Sequence, residues 1–130
     1  MIAGIVSNRR PLATLFVRGP GGQGDVEFVI DTGFTGYITL PSAACVALQL
    51  PFQGYQPSSL ADTTQRMLDI YRLTVLWDGE ERQIDVLAID SAPLIGMSLL
   101  DGYEVHIQVT EGGLVVSYLK FYMRRHCWVK

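Results

Sequence analysis

The segment Val26-Glu27-Phe28-Val29-Ile30-Asp31-Thr32-Gly33 places an acid directly after a run that alternates like a β-strand. A carboxylate at the end of a buried strand is costly unless it is paired or hydrogen-bonded. Chains that accept this cost usually gain chemistry from it, so Asp31 is the first candidate catalytic residue. The Asp-Thr-Gly triplet occurs once in the chain, and that single occurrence bears on how a site would be assembled.

Alternation of apolar and polar residues, with many β-branched and aromatic side chains, continues along most of the chain and predicts an all-β fold. The segments with this pattern are 12–17, 26–30, 71–77, 84–89, 105–109 and 114–118. Asp78-Gly79 and Glu111-Gly112-Gly113 stand at hairpin spacing between such segments. Short helices are expected over about 42–50 and 97–100, with Gly102 as a left-handed stop after the second. Residues 53–66 are expected to form a hairpin loop that projects from the sheet.

Length and composition indicate one domain. The 130 residues are taken as a single unit, 1–130, with a core over about 12–118 and a C-terminal tail over 119–130. Hydrophobic residues make up 48% of the chain, yet no run reaches the ~18 apolar residues that a membrane helix needs. The surplus is therefore expected to cover a subunit interface or a ligand groove.

The net charge, the first ten residues and the cysteine count limit the partners and the cellular compartment that we expect. The net charge of −3 gives no basic footprint for nucleic acid. The first ten residues lack the order of a secretory signal, and two cysteines do not make a disulfide framework. We therefore expect a cytoplasmic protein with no membrane or nucleic-acid partner.

Other site patterns are weaker than the Asp31 triplet. Gly19, Gly21 and Gly24 fit a dinucleotide-binding pattern, but a strand follows them where that pattern needs a helix. His106 and His126 have no nucleophile signature beside them, and Cys127 has no second ligand at zinc spacing. We expect no metal and no cofactor.

A second segment, Pro93-Leu94-Ile95-Gly96-Met97-Ser98-Leu99-Leu100, follows the triplet by about 60 residues. Together with Asp31-Thr32-Gly33-Phe34-Thr35-Gly36-Tyr37 it resembles the retroviral-type, or retropepsin-like, aspartic peptidases. Within that group the chain is most similar to small bacterial aspartyl-protease-like proteins, over roughly 12–118. The resemblance implies an all-β acid-protease fold with one lobe per chain and one or two short helices.

Peptide hydrolysis by carboxyl groups needs two of them. One takes a proton from water and the other gives a proton to the carbonyl oxygen, and close carboxyls share one proton. No other aspartate stands in an equivalent turn, and Asp90, the nearest rival, lacks the Thr-Gly context. The second carboxyl is therefore expected from Asp31 of another copy, in a two-fold homodimer.

The resemblance also assigns the neighbouring residues. Thr32 would fix the two turns across the axis, and Gly33 would let its backbone N–H bond to the carboxylate. The segment Leu94, Ile95 and Gly96 would support the acid turn. The hairpin 56–66 would be a flap that closes on an extended peptide. The flap residues that face the substrate would be Ala61, Asp62, Thr63 and Thr64, and Phe34 would face it from the acid turn.

Two departures qualify this assignment. Phe34 follows the triplet where retroviral enzymes usually have Ala or Ser, and its bulk would narrow a substrate pocket. The segment 56–66 has no glycine for a tight flap tip. We therefore expect an aspartic endopeptidase acting on peptides or proteins, with a non-catalytic, dimeric peptide-binding module of the same fold as the alternative.

Overall fold

The computed structural model describes residues 1–59 and 65–119. Strands dominate this part of the chain and two short helices interrupt them. The strands are β1 (Ile2–Ser7), β2 (Arg10–Gly19), β3 (Gly22–Ile30), β4 (Ile38–Leu40), β5 (Phe52–Ser59), β6 (Gln65–Trp77), β7 (Glu80–Ala88), β8 (Leu94–Ile95), β9 (Tyr103–Ile107) and β10 (Leu114–Leu119). The helices are α1 (Ser42–Ala47) and α2 (Met97–Leu100).

All ten strands join one sheet in the order β5-β6-β7-β4-β8-β3-β2-β1-β10-β9. An additional pairing of β2 with β6, through Val17 and Val75, closes six of these strands into a ring around the core. Most neighbours are antiparallel, whereas β3–β8 and β4–β7 are parallel. The ring encloses fully buried apolar side chains, among them Phe28, Ile38, Val86 and Ile95.

The predicted all-β fold with two short helices is confirmed, and so are its turns. Asp78 and Gly79, at φ 51° and 84°, form the two-residue turn between β6 and β7. The dihedral signs are those of a type I′ turn, which matches the twist of a hairpin. Gly102 follows α2 at φ 85°, as expected for a left-handed helix stop. Pro20-Gly21 joins β2 to β3 as a hairpin, so the glycine pattern there is a turn.

Strand β1 was not expected from the sequence. It lies between β2 and β10 and buries Ile2 and Val6. Its close approach to β2 depends on Gly4, because a Cβ at that position would overlap the Leu12 carbonyl oxygen. The apolar residues of β1 do not alternate strictly, so the period of two could not reveal the strand.

One further element differs from expectation. Helix α1 ends at Ala47 and not near residue 50, because Gln49 adopts a left-handed conformation with φ 50° and Pro51 follows. The hairpin expected over 53–66 is present in the described part of that segment. There β5 and β6 pair in antiparallel register from Phe52↔Tyr71 to Ser59↔Gln65, with a bulge before Gly54.

Residues 60–64, with the expected flap tip at Ala61 to Thr64, lie outside the described residues, and so does the C-terminal tail from residue 120. No helix in the described part of the chain is long and apolar enough to cross a membrane.

Candidate active site

Asp31 begins a tight turn at the end of β3. Its backbone N–H donates to the Ile95 carbonyl oxygen at 2.9 Å, which continues the pairing of β3 with β8 beyond Ile30. The Gly33 N–H donates to Asp31 Oδ1 at 2.8 Å, and the Phe34 N–H donates to the Asp31 carbonyl oxygen at 3.1 Å. The turn therefore holds one carboxylate oxygen with its own backbone, and the side chain is half-buried.

Strand β8 supports the acid turn from the side. Ile95 is fully buried and pairs with both Ile30 of β3 and Ile38 of β4. The Leu94 N–H donates to Oγ1 of Thr39, a fully buried threonine, at 3.0 Å. This N–H bonds to a side chain and not to the backbone of a neighbouring strand. Thr39 therefore holds β8 where backbone hydrogen bonds between β4 and β8 are missing.

The loop that follows the triplet is fastened to the start of α2. The N–H groups of Gly96, Met97 and Ser98 donate to carbonyl oxygens of the loop at 2.8, 2.8 and 3.1 Å. The acceptors are those of Tyr37, Phe34 and Gly36, in that order. These bonds satisfy N–H groups that a helix start leaves unpaired, and they join the segments 31–37 and 93–100 into one unit.

Gly96 is the contact point of that unit. A Cβ at Gly96 would overlap the Gly36 carbonyl oxygen and lie 2.8 Å from the Phe34 carbonyl oxygen. Since both obstacles are backbone atoms, no side chain can turn away to make room. The glycine is needed for the loop and α2 to approach each other.

The Phe34 ring lies back against two glycines. A Cβ at either Gly36 or Gly96 would stand 2.5 Å from a ring carbon. The ring also forms one wall of a pocket of about 270 Å³ between the loop and the β5–β6 hairpin. The other lining residues are Thr35, Gly36, Tyr37, Ile38, Gln56, Ile70, Asp85, Leu87 and Ser98. The bulk of Phe34 thus borders this pocket from the loop side.

A second pocket of about 490 Å³ lies on the outer face of β2 and β3. Its lining residues are Ser7, Asn8, Arg10, Leu12, Glu27, Val29, Ala92 and Pro93. Side chains alternate along a strand, and Phe28 and Ile30 are buried in the core. Val29 therefore faces outward, and the acid turn begins two residues after it.

The other candidate catalytic side chains are buried or form interactions away from Asp31. Asp90 accepts the Ser42 N–H at 2.8 Å, at the beginning of α1. His106 lies on β9, stacked on Tyr118, with 2.8 Å between His106 Nε2 and the Tyr118 hydroxyl. Cys45 is fully buried, and burial raises its pKa to about 11. A thiol with that pKa is not a nucleophile near neutral pH.

Metal ligands do not cluster in the described residues, where no three His, Cys, Asp or Glu side chains share a site. His126 and Cys127 lie beyond this part of the chain.

The structure brings Asp31, Gly33, Phe34, Leu94, Ile95 and Gly96 into one unit, and Thr32 is exposed beside them. Sequence reasoning missed Thr39 and Ser98. The Ser98 hydroxyl donates to the Thr35 carbonyl oxygen at 2.5 Å.

A curved all-β lobe whose acid turn is packed against an Ile-Gly-helix segment has a retropepsin-like aspartic-protease fold. Two solved structures share it. The first is the EIAV protease complexed with the inhibitor HBY-793, at a TM-score of 0.55 and 17% identity, covering 72% of this chain and 86% of that one. The second is a retropepsin-like aspartic protease from Rickettsia conorii, at a TM-score of 0.50 and 18% identity, covering 89% of this chain and 91% of that one.

These identities are low, so the likeness establishes the fold alone. No protein-family profile matches the chain, and no curated protein sequence matches it. The bacterial neighbour agrees with the resemblance inferred from the two sequence segments.

Proposed function

We propose that this protein is an aspartic endopeptidase whose active site is assembled from two copies of the chain. The observation that carries the proposal is the Asp31 turn, in which the Gly33 N–H holds Oδ1 of the carboxylate at 2.8 Å. A carboxylate held by a backbone donor at the end of a strand is preorganised to exchange protons with a bound water. The retropepsin-like fold around it supports the same class of reaction.

The second carboxyl would be Asp31 of the partner copy. The chain contains one Asp-Thr-Gly triplet. The nearest alternative, Asp90, bonds to the start of α1. A two-fold axis between two Asp31 side chains would give an isologous homodimer with one shared site. Thr32, exposed beside the acid, would bond across the axis to the partner turn.

The two carboxyls would share one proton and divide the chemistry between them. The ionised carboxyl takes a proton from water, whose oxygen attacks the peptide carbonyl carbon. The protonated carboxyl gives its proton to the carbonyl oxygen, which produces a diol. When the diol collapses, the carboxyl that took the water proton gives it to the amide nitrogen, the other carboxyl takes a proton from a diol hydroxyl, and the C–N bond breaks, so no covalent intermediate with the enzyme forms.

The substrate would be an extended peptide lying between the acid turn and the β5–β6 hairpin. The pocket of about 270 Å³ between the hairpin and the loop is bordered by Phe34, Ile70 and Leu87. Polar side chains, among them Gln56 and Asp85, complete the wall. A volume of this order suits one side chain of a peptide. The flap tip at Ala61 to Thr64 would close over the backbone of the bound chain.

The decisive variant is Asp31→Asn, which keeps the shape and removes the charge. We expect cleavage of a peptide library to fall at least about 1,000-fold, because an amide cannot act as the base. Dimerisation, measured by sedimentation, should be retained. If the variant cleaves the library as well as the wild type, the mechanism is wrong.

A statine-type transition-state mimic separates the peptidase from a peptide-binding module of the same fold. A competent pair of carboxyls should bind the mimic at least ~100-fold more tightly than the corresponding substrate peptide. Equal affinities for the mimic and the peptide would support the binding module.

A further inference from the structure

The pocket on the outer face of β2 and β3 has a chemistry that the proposed peptidase activity does not use. Its middle is apolar, formed by the cross-strand pair Leu12 and Val29. Arg10 lines it at one end and Glu27 at the other. Both charged residues are exposed.

The cationic end of this pocket is the end at the acid turn. In the register of β2 and β3, Leu12 pairs with Val29. That pair is the last of the ladder at this end; Arg10 lies two residues beyond it at the start of β2, and Asp31 lies two residues beyond it directly after β3. Glu27 lies four residues before Asp31, a distance of roughly 13 Å along an extended strand. A group that enters from the acid turn therefore meets Arg10 first.

Arg10 is a free cation in the described part of the chain. Its guanidinium forms no hydrogen bond or ion pair with the described residues, whereas Arg18 is bound to Glu81 and Arg72 to Asp85, at 2.7 and 2.8 Å. A guanidinium without a partner is suited to bind a carboxylate through two parallel hydrogen bonds. The aliphatic stem of a glutamate would contact Leu12 and Val29.

We propose that this pocket is a subsite for an acidic side chain of the peptide substrate, with Arg10 as the residue that recognises the carboxylate. The inference rests on the proposed function and names the substrate class of the same site. In a two-fold dimer the pocket occurs once on each side of the shared acids, so acidic residues on both sides of the cleaved bond are favoured.

The test compares matched peptides that carry Glu or Gln at single positions on either side of the cleaved bond. The wild-type protein should cleave the best-placed Glu peptide with about 10-fold or higher kcat/KM than its Gln partner, as expected for hydrogen bonds to a charged group. Arg10→Gln should reduce this ratio to about 1 while leaving the rate on the Gln peptide within roughly two-fold.

Two further variants sharpen the result. Arg9→Gln removes the neighbouring charge in the β1–β2 turn, which does not line the pocket, and should keep the Glu preference. Glu27→Gln removes the opposing charge and should increase the preference. A loss of preference in Arg9→Gln equal to that in Arg10→Gln would show general charge attraction and overturn the subsite.

The outcomes separate the two proposals. If the wild type cleaves none of these peptides and no library member, the proposed function fails. If it cleaves Glu and Gln peptides equally, or if Arg10→Gln slows both equally, the peptidase stands and the subsite is wrong. The second result would assign Arg10 to holding the acid turn.

Discussion

Gly96 shows how a single residue controls the geometry of the acid turn. The loop after Asp31 and the start of α2 meet at this residue, and its N–H donates to the Tyr37 carbonyl oxygen at 2.8 Å. Two backbone oxygens and the Phe34 ring fill the space where a side chain would stand. The position therefore tolerates no Cβ without moving the loop that carries the proposed catalytic acid.

Gly96→Ala should lower the free energy of unfolding by at least about 2 kcal/mol, because overpacking against backbone cannot be relieved by a rotamer change. Gly24→Ala is the matched control. No atom lies within 4 Å of a Cβ at Gly24, and the change should be neutral or stabilising by about 0.5–1 kcal/mol. Urea unfolding of both variants measures the difference. Equal stabilities of the two variants would contradict this description of Gly96.

The sequence predicted some residues of the candidate site and missed others. Asp31, Gly33 and Gly96 belong to two short motifs and were predicted. Thr39 was not, because its importance comes from being fully buried beside Leu94, a residue 55 positions away. Arg10 was missed for a related reason, since only the pairing of β2 with β3 brings the start of β2 to the end of β3 that Asp31 follows.

Turn residues set which residues of neighbouring strands pair in this fold. The β6–β7 hairpin turns on two residues, Asp78 and Gly79, both with positive φ. An L-residue other than Asn or Asp pays a steric cost in that conformation. The turn sets the register of Trp77 against Glu80, and through it the pairing of Ile70 with Leu87, both of which line the pocket beside Phe34.

Gly79→Ala should destabilise the protein by about 1–2 kcal/mol, the cost of a left-handed conformation for a residue with a Cβ. Gly79→Asn should cost less, because asparagine adopts positive φ more readily. Thermal or urea unfolding gives the ranking. If Ala and Asn are equally destabilising, the positive φ is not the source of the cost.

At the scale of elements, the sequence predicted most strands and both helices, since their period and turn residues are local properties. Strand β1 was not predicted. It is stabilised by β10, a partner distant in sequence, and local pattern carries no record of such a partner. The hairpin of β5 and β6 was expected, but the bulge in β5 breaks its alternation and concealed the length of its strands.

For the whole molecule, the proposed site requires two chains, and this requirement can be tested without a structure of the dimer. Asp31→Asn chains that exchange with wild-type chains would form mixed dimers with a single carboxyl at the axis. Such dimers lack either the base or the acid at any moment. The inactive variant should therefore act as an inhibitor of the wild type.

With a nine-fold excess of Asp31→Asn, random exchange should reduce wild-type peptidase activity to roughly one tenth, because about nine in ten wild-type chains then have an inactive partner. The control adds the same mass of an unrelated protein. Unchanged activity after full subunit exchange, followed by isotope labelling and mass spectrometry, would rule out the shared site.

The sequence by itself determined the all-β class, the position of the acid turn and its partner segment, because motifs and alternation are properties of neighbouring residues. Only the tertiary structure decided what surrounds that turn. The Thr39 bond to β8, the Phe34 ring against Gly96, and the strand pairing that brings Arg10 to the end of β3 each join residues far apart in the chain. Such contacts arise when strands pair and the sheet closes on its core, and a one-dimensional pattern does not specify them.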